Sequence, residues 1–222
     1  MRPLLLFGLL VGCAGPHMNH QALPELAAPA KVARAEALPL MLATGERMIW
    51  DVSAHGMTIG RVELVVGAID VRSSFTTTGI AAALANAHHE LATQLDRQAA
   101  RATAMSEIMI VDGETKSSEG AIEPGQHTMH SALGWVRAWA KPGAQGAFLL
   151  VRHLDTVYRL DVAPPVVEDL NGVKTLRVDC EVRAPDKSDP VPFAVWLSAD
   201  AQRIPMKLVF DTRSGHITAD LI

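Results

Sequence analysis

The sequence predicts a mostly β domain: a strongly curved or partly closed antiparallel sheet, half-barrel-like, that carries two short helices. Three observations support this class. Apolar and polar residues alternate along most of residues 44–222, short turns rich in Gly and Asp join the alternating runs, and the last third lacks helical crossovers between strands. The composition, with 49% hydrophobic and 20% charged residues, is that of a folded globule.

The first strands follow from a period of two. In residues 47–54 the side chains at every second position are apolar, and a Gly-containing turn leads into another such run over residues 57–67. Two alternating runs around a short turn predict a β-hairpin. A third strand is predicted over residues 69–77, where β-branched residues are frequent.

Two segments favour a helix. The Ala-rich run 79–90 has high intrinsic helix propensity, and Thr78 before it is a suitable N-cap. In residues 127–140 the apolar side chains recur at helical spacing, and Pro142 follows the last of them. The sequence therefore predicts two helices at these positions.

Strands are predicted for most of the remaining chain. They cover residues 91–95, 102–111, 114–118, 148–154, 157–162, 173–183, 193–198, 204–211 and 216–221. Connections of hairpin length join the later strands, which favours an antiparallel arrangement. Cys180 stands at an apolar position of its strand, so we expect a buried thiol that packs as a small hydrophobe.

The N-terminus predicts export and a lipid anchor. A basic start and an apolar block of about eight residues lead to LVGC at 10–13. The block is shorter than the roughly 20 residues that cross a bilayer. We interpret residues 1–12 as a lipoprotein signal peptide, with a diacylglycerol on the thiol of Cys13. An ordinary secretory signal, or a short membrane anchor with an incidental cysteine, is the alternative.

The rest of the chain divides in two. Residues 13–43 comprise the acylated cysteine and an Ala/Pro-rich tether, and residues 44–222 form a single β-rich domain. No Asp follows Cys13, which favours an outer-membrane lipoprotein that faces the periplasm or the cell surface. The formal net charge of −4 and the lack of a Lys/Arg run argue against a nucleic-acid partner.

The histidines raise the question of a metal site. His127 and His130 would share one helix face, and the dipeptide His88-His89 with Glu90 would end the other helix. Two such helices side by side would bring together nitrogens and a carboxylate suited to zinc. The spacing His-x-x-His is common by chance, however, so we assign no metal ligand and no cofactor.

A catalytic site is not predicted either. The chain has no Gly-x-Ser-x-Gly motif and no Gly-rich loop before a helix that would hold a phosphate. A curved sheet does offer a concave face that apolar side chains can line. The four tryptophans are the candidate ligand-binding residues of such a groove: Trp50, Trp135, Trp139 and Trp196.

Two motifs resemble an exported bacterial family, domain of unknown function 3108. The opening GERMIWDV (45–52) with GMTIG (56–60) is similar to the family's first hairpin. The closing VWLSAD (195–200) with RIPM (203–206), followed by SGHI (214–217), is similar to its last strands. The resemblance implies a β-rich domain in the periplasm or on the cell surface, and it brings no activity and no catalytic residue.

These observations favour a non-enzymatic, outer-membrane-anchored lipoprotein. Its domain would bind a lipophilic or polysaccharide envelope component, or an envelope protein partner. The alternative is an envelope hydrolase that uses carboxylates or a His-bound metal, and a third hypothesis is a scaffold with an exposed edge strand. A binding domain predicts a long apolar groove with few ionisable groups, whereas a hydrolase predicts a cleft where acids or metal ligands converge.

Overall fold

The computed structural model describes residues 32–186, 189–212 and 215–222; of Leu84 it describes the backbone. The predicted signal peptide, Cys13 and the first part of the predicted tether lie outside these residues. Neither helix within the described ranges is long or apolar enough to cross a membrane.

In these ranges the chain forms fifteen strands and two helices. The strands are β1 (Ala33–Arg34), β2 (Arg47–Ala54), β3 (Met57–Val66), β4 (Asp70–Thr77), β5 (Ala87–Asp96), β6 (Arg101–Val111), β7 (Glu114–Ala121), β8 (Gln126–His127), β9 (Ala147–His153), β10 (Thr156–Val162), β11 (Val166–Leu170), β12 (Val173–Arg183), β13 (Val191–Ser198), β14 (Pro205–Thr212) and β15 (Gly215–Leu221). The helices are α1 (Gly79–Leu84) and α2 (Met129–Trp139).

All the strands belong to one sheet, which is not closed by a continuous ladder. Its order is β1-β9-β10-β12-β13-β14-β15-β2-β3-β4-β5-β6-β7, with β11 beside β12 and β8 beside β9. The short strands β1 and β8 pair in parallel with β9, and the other pairs are antiparallel. The predicted fold class is confirmed, because consecutive hairpins build the sheet.

Side chains join the two edges of the sheet, between the β6–β7 hairpin and the β9–β10 hairpin. Arg152 of β9 donates one hydrogen bond to the carbonyl of Ala121 (2.8 Å) and another to the hydroxyl of Ser118 (3.1 Å). Glu107 of β6 accepts the backbone N–H of Leu154 at 2.6 Å. The curled sheet therefore has a seam that is held by side-chain hydrogen bonds.

Helix α2 lies inside the curl and divides the core in two. Thr128 caps its first turn, because the Thr128 hydroxyl accepts the N–H of Ser131 (3.2 Å) while the Ser131 hydroxyl accepts the N–H of Thr128 (2.9 Å). One cluster packs the tryptophan face of α2 against β9, β10, β12 and β13. The other cluster fills the space between β2, β3, β4, β5 and β6.

A buried ion pair fixes the C-terminal end of α2. The guanidinium of Arg137 binds both carboxylate oxygens of Glu46, at 2.6 and 2.9 Å, and also the carbonyls of Gln202 and Arg203. The Arg137 side chain is 2% exposed. The helix is thus bonded both to the start of β2 and to the β13–β14 turn.

Residues 32–43, the described part of the predicted tether, pack on the domain. Strand β1 pairs with β9, and Leu42 is buried against α2 beside Gly134. The indole N–H of Trp135 donates to the carbonyl of Glu36 at 2.7 Å. Apolar residues at 35, 38, 40 and 42 explain this packing, because each of them contacts one of the two cores.

The first predicted helix is wrong beyond residue 84. Helix α1 ends at Leu84, Ala85 is extended (φ −153°, ψ 108°), and residues 87–96 form β5 between β4 and β6. Every second side chain of β5 is buried, from Ala87 to Leu95. Pairing on both sides and the burial of one face outweigh the local helix propensity of a run of alanines.

Candidate functional site

A cavity of about 1170 Å³ lies between α2 and the concave face of the sheet. Side chains from β2–β6, β9, β10 and β12–β15 form its wall, and most of them are aliphatic or aromatic. Ala132, Leu133 and Val136 of α2 form its inner boundary. The cavity exists because the interior-facing side chains of a sheet curled this widely do not meet across it.

The cavity opens to the surface beside α1 and the β2–β3 turn, where residues of its lining are exposed. Large apolar side chains stand exposed there: Met57 is 62% and Ile80 is 76% exposed. Both line the cavity together with Ala81 and Ala85. Exposed apolar residues around an apolar cavity are typical of a site through which a lipophilic molecule passes.

The structure places one of the four candidate tryptophans in the cavity wall. Trp50 lines the cavity, and its indole N–H donates to the carbonyl of Pro205 at 2.8 Å. Trp135 and Trp139 stack on each other, with ring centroids 5.4 Å apart, in the core behind α2. Trp196 lies on the opposite face of β13, where it packs near Leu170. The sheet alternation separates these side chains, so they do not form one lining.

A buried polar network forms one side of the cavity. His130 of α2 is 3% exposed, and its Nδ1 and Nε2 lie 2.9 Å from the Thr93 hydroxyl and 2.8 Å from the Ser73 hydroxyl. The Thr93 hydroxyl donates to Thr128 at 3.0 Å, so it accepts from Nδ1–H of His130. Burial, and after it the charge of His89, lower the pKa of His130 to about 3, while Glu107 opposes the shift. His130 is therefore neutral at physiological pH.

A second polar cluster stands beside this network, at the seam of the sheet. Nε2 of His89 and Nδ1 of His153 lie 2.7 and 2.6 Å from the same carboxylate oxygen of Glu107. The Glu107 side chain is fully buried. Burial would raise its pKa, but hydrogen bonds from His153 and His89 and the N–H of Leu154 outweigh burial and lower the pKa to about 2. Glu107 is thus an ionised carboxylate inside the domain.

The predicted arrangement of histidines on two adjacent helices does not occur. His88 and His89 lie on β5, so they point to opposite faces of the sheet. His88 contacts Thr76 and Glu90 on the outer face, whereas His89 faces the interior. His127 lies on β8, and burial together with the charge of Arg34 lowers its pKa to about 4.

His89, Glu107 and His153 form what we call the seam cluster. Two of these residues are not apparent from the sequence. Glu107 occupies an inward position of β6, where alternation predicts an apolar side chain, and this break in the pattern is the signal that could have found it. His153 precedes the β9–β10 turn and carries no such signal. The thiol of Cys180 is buried as predicted, lines the cavity, and has its pKa raised by burial.

Curl, seam and internal helix together define a barrel-like β domain with an internal apolar cavity. No family model matches the chain, and no curated protein matches it either. Among solved structures, the chain is similar to a beta-barrel-like protein of domain of unknown function DUF1849 from Brucella abortus. The identity is 12% and the TM-score 0.55, over 79% of this chain and 94% of that chain.

This likeness supports the fold alone. A second structure, the Mycobacterium tuberculosis lipoprotein LppX, matches with 16% identity over 79% of this chain and 84% of that chain. Its TM-score of 0.29 is too low to carry an argument. The resemblance of the two motifs to domain of unknown function 3108 stays a prediction.

Proposed function

We propose that this protein is a cell-envelope lipoprotein whose domain binds a lipophilic ligand in its internal cavity. The cavity of about 1170 Å³ with its apolar lining is the observation that carries this proposal. Ligand pockets commonly measure about 300–1,000 Å³. A cavity of about 1170 Å³, somewhat larger than that range, suits a molecule with one or more acyl chains.

The energetics favour an apolar occupant. Each methylene group moved from water into an apolar environment contributes about 0.8 kcal/mol. His130 and the histidines of the seam place a group of polar side chains in one part of the wall, so an amphiphile could place its head group near them. A polysaccharide would instead need polar partners along the whole lining.

The lining argues against hydrolysis by a pair of carboxylates. Among the described residues that line the cavity, Asp189 is the carboxylate, and Glu107 stands behind the histidines of the seam. A pair of carboxylates flanking a scissile bond is therefore not formed in the described part of the wall. The binding hypothesis has the direct support of the cavity's shape and chemistry.

A cavity-filling substitution tests the ligand proposal. Ala219 of β15 is buried and lines the cavity, whereas Ser117 of β7 is exposed on the outside of the sheet. We expect Ala219→Trp to weaken binding of a dansylated fatty acid about tenfold or more, because the new indole occupies part of the cavity, and Ser117→Trp to bind like the parent. Fluorescence titration of the delipidated full chain carrying Cys13→Ser, which needs no detergent, measures both.

A second cavity variant guards against misfolding. Val182→Trp places an indole on β12, at another part of the same wall. Equal probe affinity in the parent, in both folded cavity variants and in Ser117→Trp would refute the proposal. Circular dichroism and unfolding by urea establish that each variant is folded.

We further propose that Cys13 carries the anchor and that the protein resides in the outer membrane. The signal-like sequence before Cys13 supports this placement. Cys13→Ser should abolish incorporation of radiolabelled palmitate and release the protein from the membrane fraction. Unchanged labelling of the Ser variant, or recovery of the intact protein in the cytoplasm, would contradict the proposal.

A further inference from the structure

The seam cluster of His89, Glu107 and His153 has the composition of a metal site. Its three side chains come from β5, β6 and β9, and one donor atom from each lies within 4.8 Å of the others. We propose that these residues bind a divalent transition-metal ion, with Zn²⁺ as the expected ion, in the wall of the cavity. This site is independent of the lipid-binding proposal.

The donor set suits such an ion. Two imidazole nitrogens and one carboxylate are ligands of Zn²⁺ and of other first-row divalent metals. The present nitrogen–oxygen distances of 2.7 and 2.6 Å are hydrogen bonds. Ligands at about 2.0–2.2 Å from one metal ion stand about 3 Å apart. Binding therefore requires the side chains to move, because donor atoms that now lie within 4.8 Å of one another must come to about 3 Å apart around the ion. The ion takes the place of the two shared protons, each of which leaves to water or moves to the other nitrogen of its ring.

The backbone holds the carboxylate in place for this exchange. The N–H of Leu154 donates to Oε2 of Glu107 at 2.6 Å, while Oε1 faces both histidines. A hydrogen bond to the oxygen that does not contact the metal orients a ligating carboxylate and strengthens the site. The β9–β10 turn therefore supplies both a ligand, His153, and the support for a second ligand.

The charge balance of the cluster also favours a cation. Glu107 is fully buried, and its hydrogen bonds in the described structure come from two imidazoles and one amide. A buried carboxylate is costly unless a positive charge compensates it. A divalent ion provides this charge at the place where the three side chains converge.

The site is reachable from the cavity. His89 and His153 line the cavity, and the His153 side chain is 21% exposed. Three protein ligands leave at least one coordination position of the ion for water or for an oxygen atom of a bound molecule. An ion at the seam would thus lie between the two edges of the sheet and next to any cavity ligand.

A pair of adjacent histidines gives a matched test. His89 faces the cluster, whereas His88, its neighbour on β5, lies on the outer face with Thr76 and Glu90. The full chain is purified in detergent, stripped with a chelator, loaded with Zn²⁺, desalted and analysed for bound metal by mass spectrometry. We expect about one zinc per chain in the parent and in His88→Ala, and little or no zinc in His89→Ala. Removal of a ligand should weaken the site at least as much as the loss of an outer-shell partner, which costs about 10–100-fold in affinity.

Two further measurements keep the test decisive. His153→Gln changes the most exposed ligand, so it provides a folded variant if His89→Ala does not fold; it too should lose the zinc. Co²⁺ in place of Zn²⁺ should give the parent a visible d–d absorption spectrum that His153→Gln lacks. Less than a tenth of an equivalent of zinc in the parent, or equal zinc in all variants, would overturn the metal site, whereas the fatty-acid titration would remain unaffected.

Discussion

The barrel-like domain has a closed end, at the C-terminus of α2, and an open end, at the mouth of the cavity. The two ends differ in how they use apolar side chains. At the closed end, α2 fills the interior, and Arg137, 2% exposed, binds Glu46 and two turn carbonyls. At the open end the interior is a cavity, and Met57 and Ile80 stand exposed at its mouth. The difference indicates a division of roles, in which one end stabilises the fold and the other leaves apolar surface for a ligand.

The ion pair at the closed end should give the largest stability effect. Glu46→Ala leaves the buried guanidinium of Arg137 without its counter-charge, so we expect the free energy of unfolding to fall by about 3 kcal/mol. Glu63→Ala is the matched control, because Glu63 pairs with Arg47 at the surface and should cost less than about 1 kcal/mol. Urea unfolding at 25 °C measures both, and equal losses would contradict a special role for the closed end.

The packing of α2 on the preceding segment gives the next effect. A Cβ on Gly134 would lie 2.8 Å from Cγ of Leu42, so Gly134→Ala should cost about 1–3 kcal/mol through overpacking. Leu42→Ala removes the clashing atoms at the price of a cavity. In urea unfolding, the double variant should therefore lose less stability than the sum of the losses in the two single variants. Strict additivity would show that the two residues do not touch.

Acid should weaken the domain through His130. An unfolded chain protonates this imidazole below its ordinary pKa of 6.5, whereas burial keeps the pKa in the folded state near 3. Stability is thus fully present above pH 6.5 and falls as the pH drops towards 3, by up to about 1.4 kcal/mol per pH unit. We expect His130→Gln to make the decline between pH 6.5 and 5 shallower.

Urea midpoints recorded across that pH range measure the decline. Glu107 does not interfere there, because its pKa is lowered from 4.5 to about 2 and its own contribution is lost at a pH below that window. The groups that face His130 are His89 and Glu107, and both remain in the variant. An unchanged slope would show that His130 is not buried as a neutral imidazole.

The open end should give the smallest stability effect. Ile80 is 76% exposed on α1, so Ile80→Asp should change the free energy of unfolding by less than about 0.5 kcal/mol. The charge at the mouth should nonetheless slow the uptake of a dansylated fatty acid, measured by stopped-flow fluorescence. Large destabilisation without a change in uptake would reverse the roles assigned to the two ends.

Sequence patterns predict the sheet well and the site poorly. Period-two alternation locates nearly all the long strands, as in β2, where Met48 to Ala54 face inward at every second position. It fails where a local preference competes with pairing, as in the run of alanines before β5. The short strands β1, β8 and β11 carry too few residues to show a period.

The site depends on curvature, which no local pattern encodes. Alternation states that Trp196 and its neighbour Leu197 lie on opposite faces of β13, but not which face is concave. The seam cluster joins residues that are 18 and 46 positions apart, because the sheet curls until β6 meets the β9–β10 turn. Only the single acidic residue on the inner face of β6 marks this contact in the sequence.

Identification of the molecule that occupies the cavity in the cell tests the central claim most directly. The full chain and its Ala219→Trp variant, purified from envelopes under the same conditions, are extracted and their lipids quantified by mass spectrometry. We predict a defined acyl-containing species, near one molecule per chain and beyond the protein's own anchor, that is depleted in the variant. The same small amount of bulk phospholipid in both proteins would contradict a lipid-binding cavity.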